Sequence, residues 1–311
     1  MALPASGPIS MSMVNTELGY LATAVITLND AAVRTLFGKS SGAISLSDGY
    51  GKSAGPTVAT FTTPGSTFTV PSGVSVVNVK LYGAGGRNFG PGGGSGAYIS
   101  GSFAVSANDV LHFYNTGNNT SVASSVTWKR AGVVQGYAIA GAGGGGGGDG
   151  DDGGDNWPDR YGGTGGVAGL LGGTAANGSA AYASDFGYGG SQSAVGTGGS
   201  GCNQAGNNGG SGGSGGAGAG GNGGSNSSGT NASGGSGGPG GGGYYGGGGG
   251  GGGCGRDSYP ESGDGGGGGG GGSSFQSNMT NPSSGYCEGY SDAYRGTAGN
   301  PGELGKVVII Y

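Results

Sequence analysis

The chain has 311 residues, of which 91 are glycine, only 9% are charged and 32% are apolar, and its formal net charge is −5. Glycine costs roughly 0.5–1 kcal/mol per residue inside a helix or strand, so this composition excludes an ordinary helical or doubly wound enzyme domain. One histidine and three cysteines leave few groups for chemistry. We therefore expect no enzyme, no cofactor and no metal site. No run of 18 apolar residues occurs, which predicts no membrane insertion.

Residues 1–53 are predicted to form a small α+β attachment region. Residues 7–12 (GPISMS) are echoed at 42–47 (GAISLS), and both alternate apolar residues with serine, which predicts two short strands. Between them, a helix is predicted from an Asn29 cap to Gly38. A unit this small is marginally stable alone, so we expect it to dock on another protein or on copies of itself. The apolar residues expected to support this attachment are Ile9, Met11, Val33, Leu36, Phe37, Ile44 and Leu46.

A β framework is predicted after a linker at 54–66. It covers residues 67–142 and is completed by a closing strand within 301–311. Val77, Val79 and Leu81 alternate and should share one buried face. Because the last strand follows a long glycine-rich tract, we expect the chain to leave a sheet, make an excursion and return to the same sheet. The predicted strands are 74–82, 97–105, 110–115, 122–128, 137–140 and 306–311.

The excursion is dominated by glycine, since 64 of the 91 glycines lie in residues 141–272. A flexible linker is one interpretation, but non-glycine residues such as Ser211 and Ser214 recur every third position, which is the period of a polyproline II helix. We predict a polyglycine II helix bundle with interspersed loops over 143–300, and a fold that is mostly β with very little α-helix. Pure glycine runs should lie inside the bundle, at 143–148, 246–253 and 265–272.

The segments between the glycine runs have a different chemistry and are the candidate recognition loops. They hold tyrosine, tryptophan and arginine, which are the preferred anchors of binding sites. The alternative is that they only cover the ends of the bundle. An acidic cluster at Asp149, Asp151, Asp152 and Asp155 lacks the EF-hand pattern, so no calcium site is predicted. The candidate contacts are Trp157, Asp159, Arg160, Tyr161, Arg256, Tyr259, Tyr286, Tyr290, Tyr294 and Arg295.

The cysteines and the basic residues indicate where the protein is assembled and which partners it lacks. Cys202, Cys254 and Cys287 are odd in number and lack CxxC spacing, which favours reduced thiols of a protein assembled in a cytoplasm over one disulfide with a spare thiol. The first basic residue is Arg34, so the positive region of a signal peptide is missing. Neither half of the chain has the basic, aromatic-rich groove that nucleic acid requires, so no nucleic-acid partner is expected.

Several of these segments resemble tail proteins of tailed bacteriophages. Residues 7–12, 26–34 (ITLNDAAVR) and 50–53 (YGKS) are similar to the N-terminal segment of such proteins. Residues 68–74 (FTVPSGV) leading to 81–86 (LYGAGG) resemble the start of the glycine-rich domain that often follows it. The alternation of glycine tracts with loops is similar to tail-fibre adhesins built as polyglycine II sandwiches.

The resemblance implies a virion component. The N-terminus would attach to other tail, baseplate or fibre proteins, and the loops would bind a protein or glycan on the host surface. A homotrimer is compatible with this arrangement but is not indicated by the sequence. The main alternative is a purely structural tail or baseplate protein with the glycine-rich domain as a rigid spacer. A glycan depolymerase and an ice-binding slab are weaker alternatives, because no groove-forming β-helix repeat and no uninterrupted flat face are present.

Overall fold

The computed structural model describes residues 2–71, 74–88, 92–114, 121–151, 161–180, 186–203, 209–216, 218–229, 233–255 and 264–311. Helical structure in this part of the chain is confined to the N-terminal region: α1 (Met11–Glu17), α2 (Ala31–Phe37) and a 3-10 helix at Leu46–Gly49. The strands are β1 (Val58–Phe61), β2 (Thr67–Thr69), β3 (Val76–Tyr82), β4 (Ala97–Ala104), β5 (Val110–Tyr114), β6 (Ser124–Arg130), β7 (Val133–Ala140), β8 (Phe275–Ser277), β9 (Thr280–Tyr286) and β10 (Lys306–Ile310). The protein is mostly β with very little helix, as predicted.

The serine-containing echo in the N-terminal region begins helices, so the prediction of two strands there is wrong. The Ser10 hydroxyl accepts a hydrogen bond from the Met13 backbone N–H at 3.3 Å and caps α1. Ser45 and Asp48 form a capping box at the start of the 3-10 helix. In both copies the serine is a helix cap, and a cap flanked by apolar residues imitates the alternation of a strand.

The predicted helix near residue 30 is confirmed, with a shifted start. It spans Ala31–Phe37 and its N-cap is Asp30, whereas Asn29 was predicted. The Asn29 side chain instead accepts hydrogen bonds from Arg34, at 2.8 Å for Nη2. Gly38 ends the helix in the left-handed conformation with φ of 71°, which is the role that its position predicts.

Two five-stranded antiparallel sheets form the β framework. The first sheet has the order β1-β10-β3-β4-β9 and the second β2-β5-β6-β7-β8. Strand β10 lies between β1 and β3, so the predicted return of the chain to its first sheet is confirmed. The segment predicted as a linker contains β1, and the segment between the glycine runs and the closing strand contains β8 and β9, which were not predicted as strands.

The core of the framework lies between the two sheets. Val77, Val79 and Leu81 on β3 are fully buried on one face, as predicted, and pack in a single cluster with residues of the second sheet such as Leu111 and Phe113. The two sheets therefore form a sandwich whose stability comes from side-chain burial.

The glycine-rich region between β7 and β8 contains ten extended segments that bond to one another through the backbone. They are 142–151, 161–169, 175–180, 186–190, 196–203, 209–216, 219–229, 233–242, 246–255 and 264–272. Their N–H and C=O groups pair between segments at 2.7–3.2 Å, and no regular strand is assigned in them. The glycine runs that were predicted to lie inside are buried, apart from the half-buried Gly148.

Candidate functional site

Successive segments of the glycine-rich region run in opposite directions, which sorts their connections to two ends. The N–H groups of Gly144 and Gly147 donate in turn to the carbonyls of Gly166 and Gly163, so the successive segments 142–151 and 161–169 are antiparallel. The run that leaves β7 starts at the sandwich and leads away from it. We number the connections between the ten segments in chain order. The odd-numbered connections therefore lie at the end remote from the sandwich, which we call the far end, and the even-numbered connections lie at the near end.

The near end contacts the β-sandwich directly. The Gln192 side chain donates to the Ser274 carbonyl at 2.9 Å, and Leu171 pairs with Ser274 in an isolated bridge. The Tyr244 ring stacks on Phe275 of β8 with centroids 4.2 Å apart. The connections here are short: they join 169 to 175, 190 to 196, 216 to 219 and 242 to 246. The near end is therefore joined to the sandwich and offers little separate surface.

Five connections start and finish at the far end. We call the described residues on either side of each connection its roots. The Asp151 N–H donates to the Ser233 carbonyl at 2.9 Å, and the Asp264 N–H donates to the Cys254 carbonyl at the same distance. The Asp149 carboxylate accepts a hydrogen bond from the Gly162 N–H at 2.8 Å, which ties together the two sides of one root. The five connections join 151 to 161, 180 to 186, 203 to 209, 229 to 233 and 255 to 264. Their described roots lie at one end of the region.

The predicted contact residues fall into two groups in the structure. Trp157, Asp159, Arg160, Arg256 and Tyr259 lie outside the described residues, as do Asp152 and Asp155, but the roots that flank them are at the far end. Tyr161 belongs to the same group and is 73% exposed. The remaining four residues are on the sandwich.

Tyr286 ends β9, and Tyr290, Tyr294 and Arg295 follow on the segment that packs on the outer face of the first sheet. Tyr286 is 45% exposed, whereas Tyr290 stacks on Tyr98 with ring centroids 4.3 Å apart. Tyr290 and Tyr294 pack on a small cluster that contains Tyr82, Tyr98 and Cys287. Tyr290 and Tyr294 cover the outer face of the sheet, so packing accounts for most of their surface.

Arg295 is a correction to the predicted surface set, because it is only 6% exposed. Its guanidinium donates to the Cys287 carbonyl and, at 2.8 Å, to the Asn300 side chain. A buried guanidinium held by these acceptors shapes the 287–300 segment and is not available to a surface ligand. The burial of Arg295 could not be predicted from the sequence, because Arg295 follows a tyrosine in a segment that contains glycine.

Asp292 is the electrostatic centre of that segment, and the sequence analysis did not single it out. One carboxylate oxygen accepts from Lys80 Nζ and from the Tyr82 hydroxyl, each at 2.7 Å. The other accepts from the backbone N–H groups of Tyr294 and Arg295. Burial opposes ionisation and is the largest single influence, but these donors together hold the pKa of Asp292 at about 2. The carboxylate fastens the segment to β3.

The residues predicted for attachment are mostly interior to the N-terminal region. Ile9, Val33, Leu36 and Phe37 are buried in one cluster, and Ile44 and Leu46 pack against it half-buried. Met11, the first residue of α1, is also half-buried. Their main role is to form the core of this region. Four large apolar side chains are exposed on this region, and neither alternation nor helix periodicity predicted their exposure. They are Tyr20, Leu21, Val25 and Tyr50, at 45%, 65%, 97% and 41% exposure.

The cysteines differ from the expectation of three free thiols. Cys202 and Cys254 form a disulfide, and Cys287 is free and buried. The two bonded residues are 52 positions apart in sequence, but their segments are hydrogen-bonded neighbours, which their spacing could not show. Burial raises the pKa of the Cys287 thiol to about 12, so this cysteine is unreactive in the folded chain.

Comparison with known proteins adds no assignment: no family model matches the chain, and no curated protein matches it significantly. Among the described residues, no helix combines the length and apolar character that crossing a membrane would need.

Proposed function

We propose that this protein is a tail-fibre or tail component of a tailed bacteriophage, assembled in the host cytoplasm. The N-terminal region attaches it to other tail, baseplate or fibre proteins, and the far end binds a receptor on the host surface. The observation that carries the proposal is the division of connections within the glycine-rich region: those that contain tryptophan, arginine and aspartate have their roots at the far end, and short turns occupy the near end.

A polyglycine II bundle as the scaffold is supported by the hydrogen-bond pattern. Along the run that begins at Gly246, every third N–H donates to the same neighbouring segment: Gly246, Gly249 and Gly252 donate to Gly216, Gly213 and Gly210. A period of three is that of the polyproline II conformation. This run exchanges hydrogen bonds with six segments, at 186–190, 196–203, 209–216, 219–229, 233–242 and 264–272. Such surroundings suit a rigid platform for recognition loops.

Attachment through the N-terminal region is supported by its separate core and exposed apolar residues. Leu3, Val14 and Phe37 pack among themselves in a cluster distinct from that of the sandwich. Leu21 and Val25 leave apolar surface exposed on this region, as docking on a partner protein requires. We propose these exposed residues, rather than the buried ones named from the sequence, as the contact with the virion.

Binding of host cells by variants of the far end tests the receptor proposal. We expect Trp157→Ala with Tyr161→Ala, at the far end, to weaken binding of the purified protein to host cells by at least about tenfold, as loss of aromatic anchors does. The matched control is Tyr286→Ala, an exposed tyrosine on the sandwich, which should bind as wild type. Reduced binding by the control alone would place the receptor contact on the sandwich.

The rigid-spacer alternative makes the opposite prediction for the same assay. It is favoured by the continuous backbone bonding from the near end to the far end. A spacer gives no saturable binding of the isolated protein to host cells, and its far-end variants are silent. Absence of binding by the folded wild-type protein would therefore favour the spacer and reject receptor recognition.

A further inference from the structure

Three buried metal-ligand side chains converge at the far end. Cys202 lies near the end of segment 196–203, Cys254 directly follows the glycine run 246–253, and Asp264 directly precedes the run 265–272. The two sulfurs and a carboxylate oxygen all lie within 4.8 Å of one another. Cys202 and Cys254 are 2% and 0% exposed, and Asp264 is 0% exposed. These side chains come from three different segments, so only the folded glycine-rich region brings them together.

Backbone bonds fix the positions of all three residues. The Cys202 N–H donates to the Gly252 carbonyl at 3.0 Å, and the Asp264 N–H donates to the Cys254 carbonyl at 2.9 Å. The Asp264 carbonyl in turn accepts from the Gly235 N–H at 2.8 Å. Side chains on such a framework converge without ordering a loop, and a preorganised donor set favours a bound ion.

We propose that the reduced protein binds one thiophilic divalent cation, with zinc as the preferred ion, through Cys202, Cys254 and Asp264. Thiolates and carboxylates are common zinc ligands. A Zn–S distance of about 2.3 Å places the two thiolate sulfurs of a tetrahedral site about 3.8 Å apart. The Cα atoms of the two cysteines are 5.7 Å apart, which side-chain rotation can match to either a disulfide or a shared ion. Three protein donors leave the fourth position to water.

The charge of the site also favours a cation. A divalent cation compensates the carboxylate and the thiolates together, in a site where the low dielectric strengthens each attraction. The metal would tie the roots of the connections that follow Cys202 and Cys254.

The disulfide is then the oxidised alternative of the same site. The two thiolates form the S–S bond, the zinc ion leaves, and a small-molecule disulfide takes up two electrons and two protons to give two thiols. The inference rests on the proposed function for one point, namely that the chain folds in a reducing cytoplasm. Zinc binding by purified protein does not depend on the receptor, so its failure and the failure of host binding are separate results.

Zinc content of the reduced protein tests the proposal. The full chain is reduced with a phosphine, freed of metal, incubated with zinc chloride and gel-filtered, and its zinc is measured by mass spectrometry. We expect one zinc per chain for wild type and for Cys287→Ser, which removes the third cysteine and is the matched control. Cys202→Ser and Cys254→Ser should lose the ion, Asp264→Asn should weaken binding at least about tenfold, and oxidised wild type should bind none.

Cobalt spectroscopy keeps the test valid if a variant fails to fold. Reduced wild type loaded with Co²⁺ should show the intense near-ultraviolet absorption of thiolate-to-cobalt charge transfer, and this absorption should vanish on oxidation. Zinc content of reduced wild type no higher than that of the Cys202→Ser, Cys254→Ser double variant would overturn the proposal. So would bound cobalt without thiolate absorption.

Discussion

The β-sandwich and the glycine-rich region are held together by opposite kinds of packing. In the sandwich, side chains such as Phe103 and Phe113 fill the space between two sheets. In the glycine-rich region, backbones lie so close that a Cβ atom has no room: one built on Gly250 would be 2.0 Å from the Gly267 carbonyl oxygen. Removing volume should destabilise the first region and adding volume the second. Glycine is therefore a packing residue in the glycine-rich region, as apolar side chains are in the sandwich.

The largest effect is expected from added volume in the middle of the glycine-rich region. Gly250→Val or Gly269→Val must push apart backbones whose carbonyl oxygens lie 2.0–2.1 Å from the new Cβ position. We expect a loss of more than about 4 kcal/mol in the free energy of unfolding, measured by denaturant titration, because the neighbours are backbone and cannot rotate away.

A glycine of the sandwich is the control for that prediction. Gly285 lies in β9, and a Cβ there meets nothing closer than a Tyr98 ring carbon at 3.9 Å. Gly285→Val should change the free energy of unfolding by less than about 1 kcal/mol. Equal losses at Gly250 and Gly285 would mean that backbone entropy, and not close approach, explains the glycine content.

Removing volume from the sandwich should give the next largest effect. Phe113 is fully buried and stacks on Phe61 with ring centroids 4.2 Å apart. We expect Phe113→Ala to lower the free energy of unfolding by about 3–5 kcal/mol, through lost burial and the cavity left behind. The adjacent Tyr114 is 41% exposed, so Tyr114→Ala should cost under about 1 kcal/mol in the same titration.

A smaller, pH-dependent effect is expected at the segment that covers the first sheet. The pKa of Asp292 is lowered from 3.8 to about 2 in the folded chain. Its contribution, about 2 kcal/mol, is therefore present above pH 4 and is lost as the pH falls towards 2. We expect Asp292→Asn to be destabilised near pH 7 and to lose less stability than wild type between pH 4 and pH 2.

Asp109 supplies the control for this pH dependence. The Arg130 guanidinium is the main cause that lowers the pKa of Asp109 to about 2, and this carboxylate lies on a different part of the sandwich. It should keep a residual slope in the Asp292→Asn variant. An unchanged slope after Asp292→Asn would show that the Lys80 and Tyr82 contacts do not bias the ionisation of Asp292.

The strands with alternating β-branched residues could be predicted from the sequence, and some others could not. In β3 the apolar side chains of Val77, Val79 and Leu81 alternate with other residues, because one face of the strand is buried in the core. Strand β10 is a continuous apolar run, because both of its faces are buried. Strand β9 reads TNPSSGY. Its pairing comes from backbone bonding at a sheet edge, where proline is tolerated and side chains carry little information.

The residue types in the connections at the far end could be predicted from the sequence, but which connections lie together at that end could not. Which connections share an end depends on the direction of each segment, and a glycine run has no side-chain pattern that records its neighbours. The Tyr244–Tyr245 pair illustrates the problem, because it forms a near-end turn and thereby sets the direction of every later segment. The pairing of Cys202 with Cys254 could not be predicted for the same reason, because it depends on which segments are neighbours.

The smallest effect provides the sharpest test, because it compares adjacent residues of one edge segment. Ser214 is exposed, so Ser214→Val should change the free energy of unfolding by less than about 0.5 kcal/mol. A Cβ on Gly215 would lie 2.2 Å from the Gly246 carbonyl oxygen, and Gly215→Val should cost about 1–3 kcal/mol. Because an edge segment has solvent on one side, positions that face the solvent, such as Ser214, should accept a side chain, and positions that face a neighbouring backbone should not. Equal tolerance at both positions, measured by thermal and denaturant unfolding, would contradict close packing of backbones at this edge.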